Sequence, residues 1–459
     1  MPESNLTHKT MSLRVAASAS NALQGALLAM TTCLRSCFPW GRFVRLRETP
    51  LMNVRRTVSI TCCVAALCAG GADAAAPASE SCAPLETREP NASDQRPAFA
   101  GQTRACAVQS NVAFDVVVLA KGLERPWAVE PLPGGDLLVT EKPGRLRIVS
   151  AKGEVGAPIA GVPEVDARGQ GGLLDVALSP AFESDRTIFF SYAEPRQGGN
   201  GTSVARAVLS RDRRNLEQVH VIFRVMPTYD GSLHYGSRLG FGPDGMLYVT
   251  DGERSDSSMR KYAQQLDSHL GKVLRIDSGG SAPKDNPFVG KPNAQPEIWT
   301  LGHRNVQAAA FDTEGRLWIV EHGARGGDEI NLIGKGRNYG WPLVAYGEEY
   351  SGRPIAGAAT ARDGYEQPVY FWDPVIAPSG AQFYTGDAFP AWRGSLFIGS
   401  LAQRRLVRVT IENDRVTGEE HLLVERRQRV RDVRQGPDGA LYVVTDQSNG
   451  ELWKIVPRR

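Results

Sequence analysis

Beyond Cys106 the chain has no cysteine. All seven (Cys33, Cys37, Cys62, Cys63, Cys68, Cys82 and Cys106) lie in the first quarter of its 459 residues, so the long remainder can hold neither a catalytic thiol nor a cysteine-bound metal. Charge of one sign is lacking too. The 53 basic residues against 50 acidic ones leave a formal +3, and the basic residues are scattered rather than striped, which excludes nucleic acid as a partner. Helical periodicity is weak throughout, its best candidate being the short stretch from Tyr262 to Leu270. The apolar run from Thr57 to Gly70 is shorter than the ~20 residues a spanning helix needs.

That run follows a positive start, Asn53 to Arg56, and precedes the small-residue pattern Ala72-Asp73-Ala74, so it reads as a secretory signal with Met52 as the natural start. An uncleaved membrane anchor is the alternative. On this reading residues 1–51 are an upstream extension outside the mature protein and 52–76 the signal. Residues 77–112, rich in Pro, Ala, Ser and charge, form a flexible linker, and 113–459 are the main domain. The mature chain is expected in the periplasm or secreted, without stable membrane insertion. In that oxidising setting Cys82 and Cys106 can pair and tether the tail.

From about Phe114 one local phrase returns: a turn with Gly or Asp, then a strand of alternating aliphatic and polar residues. Its copies are Pro133 to Thr140, Ser184 to Ser191, Pro243 to Thr250, Thr313 to Val320, Trp392 to Gly399 and Pro437 to Val444. Six hairpin-bearing repeats over about 345 residues match the span of four-stranded blades, so the expected fold is an all-β, six-bladed β-propeller of antiparallel sheets. A β-sandwich would not need the repeated phrase. Insertions after Gly252, Gly279 and Gly347 are expected on one rim, where a repeat protein builds its binding face.

Chemistry concentrates between Pro296 and Pro342, where His303-Arg304-Asn305, the glycine-rich acidic loop Gly323 to Glu329 and the turn Asn338 to Trp341 follow one another. Arg304 offers a planar fork to a carboxylate, and Asp328, Glu329 and turned-in carbonyls are the hard oxygens that calcium takes. Glu329 and Tyr339, ten residues apart around a turn, make a calcium pattern much less specific than an EF-hand. His234, after a polar turn and before Gly236, can act as a general base at the pore, with His269, His303 and His322 as rivals. Gln170, among glycines, can hydrogen-bond a sugar hydroxyl or merely mark a bulge. Arg429 and Arg431 alternate along a strand and share one face, as a clamp for a polyanion or as a solvated edge.

In nine phrases the chain resembles the soluble pyrroloquinoline quinone (PQQ)-dependent sugar dehydrogenases, in their aldose sugar dehydrogenase branch. They are RPWAVEPLPGGDLLVTEKPGRLRIV, GQGGLLDVALSPAF, HYGSRLGFGPDG, HLGKVLRID, IWTLGHRN, EHGARGGDEINLI, NYGWP, IAPSG and RVRDVRQGPDG, spread over Gly122 to Pro457. The resemblance implies oxidation of an aldose sugar at its anomeric carbon to a lactone, with hydride passing to PQQ and electrons to an external acceptor. By position, His234 matches the catalytic base, and Gln170 and Tyr350 match sugar contacts. Arg304, Asn305, Ala402, Arg429 and Arg431 match cofactor contacts. The carbonyls of Gly323 and Ala324 match the catalytic calcium site, and Glu329 and Tyr339 a second, structural one. Two departures stand out: Ala402 where the family places a lysine, and Ala324 where a proline is usual. Alternatives on the same fold are a non-catalytic extracellular binding propeller and a metal-dependent lactonase, the latter needing several carboxylates at the pore.

Overall fold

The structure, a computed structural model, describes residues 82–458; the expected upstream extension and signal lie outside the described residues. Each copy of the phrase forms a tight turn and then the second strand of a sheet. These strands are Leu137–Glu141, Thr187–Arg196, Leu247–Thr250, Leu317–Glu321, Leu396–Ser400 and Leu441–Thr445. The turns work by aspartate chemistry: Asp244 and Asp438 accept the amides of Met246 and Ala440, two residues on, while Gly245 and Gly439 supply the positive φ of 74°.

Six antiparallel sheets result, numbered blades I to VI in chain order. Blade I has three strands, Pro126–Pro131, Leu137–Glu141 and Arg145–Val149, with an isolated bridge between Val149 and Val155. The other five have four strands each. Blade IV, for example, runs Val306–Phe311, Leu317–Glu321, Asp328–Leu332 and Tyr370–Trp372. Blade VI takes its outer strand from the far end of the domain: Phe114–Leu123 pairs antiparallel with Gly450–Pro457, Phe114 opposite Pro457 and Leu123 opposite Gly450. Backbone hydrogen bonds thereby close the ring, leaving no free edge at the junction. The chain is a six-bladed β-propeller, and among the described residues helix is confined to segments of three to five residues. The stretch from Tyr262 to Leu270 is not an α-helix; its first three residues belong to a 3₁₀ segment, Arg260–Gln264, and the rest is irregular, with Leu266 and Leu270 packed into the core without helix.

Because the sheets stack face to face, their middle strands are buried on both sides and read as continuous apolar runs; Leu247–Thr250 and Leu441–Thr445 are buried throughout. Near the axis, space narrows and side chains shorten: Ala308, Ala309 and Ala310 follow one another in the inner strand of blade IV. Charge is buried there as well. Arg238 Nη1 lies 3.0 Å from Asp175 and 3.1 Å from Asp432, and the two carboxylates also accept the amides of Leu239 and Val129. Each of these three charges is therefore paired and makes at least one hydrogen bond, the condition for burying it at all. Gly380 is obligatory beside them, since a Cβ there would stand 1.7 Å from Asp432 Oδ1.

The segment expected to be a flexible linker is, in its described part, a strap laid over blades IV and V. Ala105 packs into their shared core, Val108 and Cys106 exchange backbone hydrogen bonds with Glu419, and Cys82 and Cys106 form a disulfide. Composition misleads here because the anchoring is done by a few polar side chains and backbone groups, not by an apolar run.

Candidate active site

Strands alternate in direction, so connections from second to third strand and from blade to blade open on one side of the ring. There lies a cavity of about 360 Å³, lined among others by Trp127, Lys142, Gln170, Gln307, His322, Arg429, Arg431 and Asp446. The loop after Gly252 belongs to this side. The insertion after Gly279 does not: it joins the third and fourth strands of blade III, at the opposite end. The connection after Leu332 in blade IV also leaves from that opposite end, but by Gly347 it has folded back against Gly326, bringing the Tyr350 hydroxyl within 3.4 Å of Arg304 Nη2.

Arg429 and Arg431 converge as their spacing implies, both on Asp446: Arg429 donates from Nη2 at 2.7 Å, and Arg431 Nη2 lies at 3.2 Å. Burial pushes the Asp446 carboxyl up, but the two guanidinium charges outweigh it and hold it below its ordinary range. Arg431 Nε is buried without a hydrogen-bond partner among the described residues. With Arg125 and Lys142 on the same wall, four cations surround one anion. Burial and the neighbouring Arg125 pull the Lys142 ammonium down. Such a wall attracts an anionic ligand with several acceptor oxygens.

Gln170 and the residues after His234, Tyr235 and Gly236, line the same cavity; Gln170 Oε1 accepts the backbone amide of His234 at 2.8 Å, so its role includes shaping the turn that presents the histidine. His234 is 4% exposed and sits at φ 48°. Its Nδ1 lies 3.2 Å from Glu253 Oε1, and Glu253 Oε2 accepts the amide of Ser255. Glu253 went unnoticed in the sequence, yet it sets the histidine's orientation. Burial first, then the Arg304 charge, lowers the His234 pKa and keeps the ring neutral. His322 lines the cavity but points Nε2 at the carbonyl of Pro378, 2.6 Å away, and burial pulls its pKa down to about 3. His303 lies beneath, between Thr300 and Glu321. Of the four histidines, His269 is remote, paired with Glu297.

The remaining expected residues divide. Asn305 is fully buried and bonds Gly236 N and the His322 ring, supporting the wall from behind. At blade V Leu401 lines the cavity, whereas Ala402 is exposed. Arg304 does not join the other arginines; it donates to the carbonyls of His322 and Gly323, and its Nε has no partner among the described residues. Asp328, read as a metal ligand, spends its oxygens otherwise: Oδ1 accepts Gly323 N, and Oδ2 accepts Ile376 N and Ala377 N. It shapes the glycine loop, and three of its roughly four acceptor positions are already taken by backbone amides.

A second, ion-sized cavity of about 10 Å³ lies behind Arg304, bounded by Glu321, Gly323, Glu329, Tyr339 and Trp341. Both carboxylates touch Asn331 Nδ2 at 3.2 Å, and Asn331 Oδ1 is buried without a partner among the described residues. Burial, then the neighbouring Glu321, raises Glu329 well above the carboxylate range. Two acids with so little positive charge between them suit a cation. The Tyr339 hydroxyl is engaged with Leu332 O and Gly334 N, so its carbonyl is the oxygen it has left to offer. Among the described residues no group of three or more His, Cys, Asp or Glu side chains is placed to hold a metal; carbonyls must complete any site.

Residues 123–454 match the model of the family described as Glucose / Sorbosone dehydrogenase. The chain is 44% identical over 348 residues to the aldose sugar dehydrogenase YliI of Escherichia coli, covering 75% of this chain and 93% of that one. It is 29% identical to quinoprotein glucose dehydrogenase B of Acinetobacter calcoaceticus, covering 72% and 85%. The structure of a PQQ-bound aldose sugar dehydrogenase from Streptomyces coelicolor superimposes with a TM-score of 0.62 at 30% identity, over 75% of this chain and 99% of that one.

Proposed function

The chain belongs to the Glucose / Sorbosone dehydrogenase family, its relatives there include aldose sugar dehydrogenases, and we propose that it oxidises aldoses at the anomeric carbon to lactones using PQQ and calcium. The observation that supports this most is the charge of the cavity wall, where Arg125, Lys142, Arg429 and Arg431 face one carboxylate, Asp446. Such a wall fits PQQ, a flat tricarboxylate. When bound, PQQ supplies the hydride acceptor, and an external acceptor then takes the electrons.

The chain's own residues do the rest. Glu253 accepts the Nδ1 proton of His234, leaving Nε2 with a free lone pair; the lowered pKa keeps it free at neutral pH, so Nε2 takes the proton of the anomeric hydroxyl. Gln170 holds the His234 turn, and Gln170 and Tyr350 contact the sugar. Arg304, Asn305 and the segment at Ala402 support the cofactor beside Arg429 and Arg431. The carbonyls of Gly323 and Ala324 would hold one calcium; the Gly323 carbonyl already holds a cationic group, the Arg304 guanidinium. Glu329 and the Tyr339 carbonyl would hold the second, with Glu321 adding negative charge.

No helix of the described residues is long and apolar enough to cross a membrane. The Cys82–Cys106 disulfide supports an oxidising, periplasmic or secreted location. A lactonase would need several carboxylates at the pore, and Asp446 is the acidic residue of the cavity wall.

The test is to titrate the protein with PQQ, with and without calcium, follow absorbance, and then add a panel of aldoses with an artificial electron acceptor. Calcium-dependent binding and dye reduction by at least one aldose are expected. Binding without any turnover would leave the non-catalytic propeller standing, and no binding at all would remove the cofactor from the reading.

A further inference from the structure

We propose that the amino-terminal strap is a clamp on the rim of the active site, with Asn91 and Gln95 as positioning residues for the loops that carry Tyr350 and the Gly323 carbonyl. The strap precedes both the family match, which begins at residue 123, and the ring-closing strand Phe114–Leu123. Its grip is specific. The Gln95 amide meets the backbone of Gly347 twice, Nε2 donating to the carbonyl at 2.9 Å and Oε1 accepting the amide at 2.7 Å. Asn91 donates its amide and its Nδ2 to Asp373 Oδ1, and Ala92 N donates to Asp373 Oδ2, all at 2.9 Å.

Both anchor points press on the glycine loop. A Cβ on Gly347 would stand 2.4 Å from Gly326 O, and one on Gly326 would stand 2.8 Å from the Asp373 carboxylate. Gly327 is as tightly placed, 2.1 Å from Tyr346 O by the same measure. The backbone at 326–327 is therefore wedged between two groups that the strap holds. Downstream of Gly347 the rim is pinned residue by residue: Glu348 by Arg325, Glu349 by Arg260, and Tyr350 by Arg304. Releasing Gly347 frees this run at its start. The Cys82–Cys106 disulfide encloses Asn91, Ala92 and Gln95 in one covalent loop, so opening it should loosen the grip as well.

The role given to Tyr350 rests on the proposed function; the clamp itself does not. The experiment is hydrogen exchange by mass spectrometry on peptides covering residues 323–328 and 345–352, with steady-state kinetics on PQQ- and calcium-loaded protein. It compares the wild type with Gln95→Leu, Gln95→Glu and Cys82→Ser/Cys106→Ser. Exchange in both peptides should rise about tenfold in Gln95→Leu and in the double serine variant, as loss of one or two hydrogen bonds implies, with blade II unchanged. The KM for the aldose should rise about three- to tenfold while kcat stays within about twofold, the pattern of lost ground-state positioning. Gln95→Glu, which keeps the acceptor and loses the donor, should fall between. Unchanged exchange in Gln95→Leu overturns the clamp, and raised exchange with an unchanged KM overturns the positioning role. A wild type that oxidises no aldose would sink the proposed function, and the exchange data would still decide whether the strap holds the loops.

Discussion

Replacing Glu253 by Gln changes one atom in the buried pair that presents the proposed base, and that atom decides which imidazole nitrogen of His234 carries the proton. The carboxylate accepts twice: Oε1 faces His234 Nδ1 at 3.2 Å, and Oε2 takes the amide of Ser255. A glutamine has one acceptor and one donor end. Since the backbone amide of Ser255 can only donate, the carbonyl end must turn to it and the NH₂ end must face His234 Nδ1. The imidazole then carries its proton on Nε2, and the lone pair that should take the hydroxyl proton is gone. A positioned general base contributes about 10²–10⁴-fold, so kcat should fall by about that factor. PQQ affinity should hold, because the cationic wall is untouched. Single-turnover bleaching of the bound cofactor on adding sugar measures the chemical step, and fluorescence titration measures affinity. His234→Asn should lose as much, and the double variant no more than either, as expected of residues acting as a unit. Glu253→Gln turning over within about threefold of wild type would refute the tautomer argument and place the base elsewhere.

Calcium should raise the melting temperature through binding to the folded state alone, and Glu329→Ala should abolish most of that rise; an undiminished response would remove Glu329 from the site. Because burial and Arg304 lower the His234 pKa, the acid limb of kcat/KM should lie below pH 6.5, and at saturating PQQ Arg304→Met should move it upward; a limb at or above 6.5 in the wild type contradicts the reading. Burial raises Asp251 to about 8, and both its oxygens lack partners among the described residues. A group protonated in the fold and ionised in the unfolded chain loses stability as pH rises from about 4 to about 8. Asp251→Asn should flatten that fall in chemical denaturation, and parallel pH profiles for the two proteins would show that Asp251 ionises normally.

The ring was legible because a blade is a local object. Its turn and second strand recur with the same chemistry, and all six copies fall where the phrase placed them. Much of the site was legible through the same register, though unread. One residue past each copy is buried: Glu141, Tyr192, Asp251, Glu321, Ser400 and Thr445 are all at most 4% exposed. Two residues past, the chain reaches the mouth of the ring: Lys142, His322, Leu401 and Asp446 line the cavity. Gly252, in the same position, touches the backbone of His234, and Glu253 is its neighbour. Aligning the copies would have pointed to Asp446 and to the neighbourhood of Glu253 without any structure, since the end of a second strand always faces the same side.

The strap and the glycine loop were hidden for the opposite reason. Their contacts have no period and join residues far apart in the chain: Gln95 meets Gly347 across 252 positions, and Asn91 meets Asp373 across 282. Asp328 shows the same limit within a short span. Acidity and a glycine-rich setting are shared by a carboxylate that binds an ion and by one that holds a loop's amides; only the direction of its oxygens tells them apart, and that depends on Ile376 and Ala377 arriving from blade V. A site of this kind is divided between what the repeat positions and what non-repeating segments brace. The first part supplies the cavity wall and its charge, Arg429, Arg431 and Asp446. The second sets where Tyr350 and the Gly323 carbonyl stand, so substrate preference should change with the strap and the rim loops while the ring stays the same.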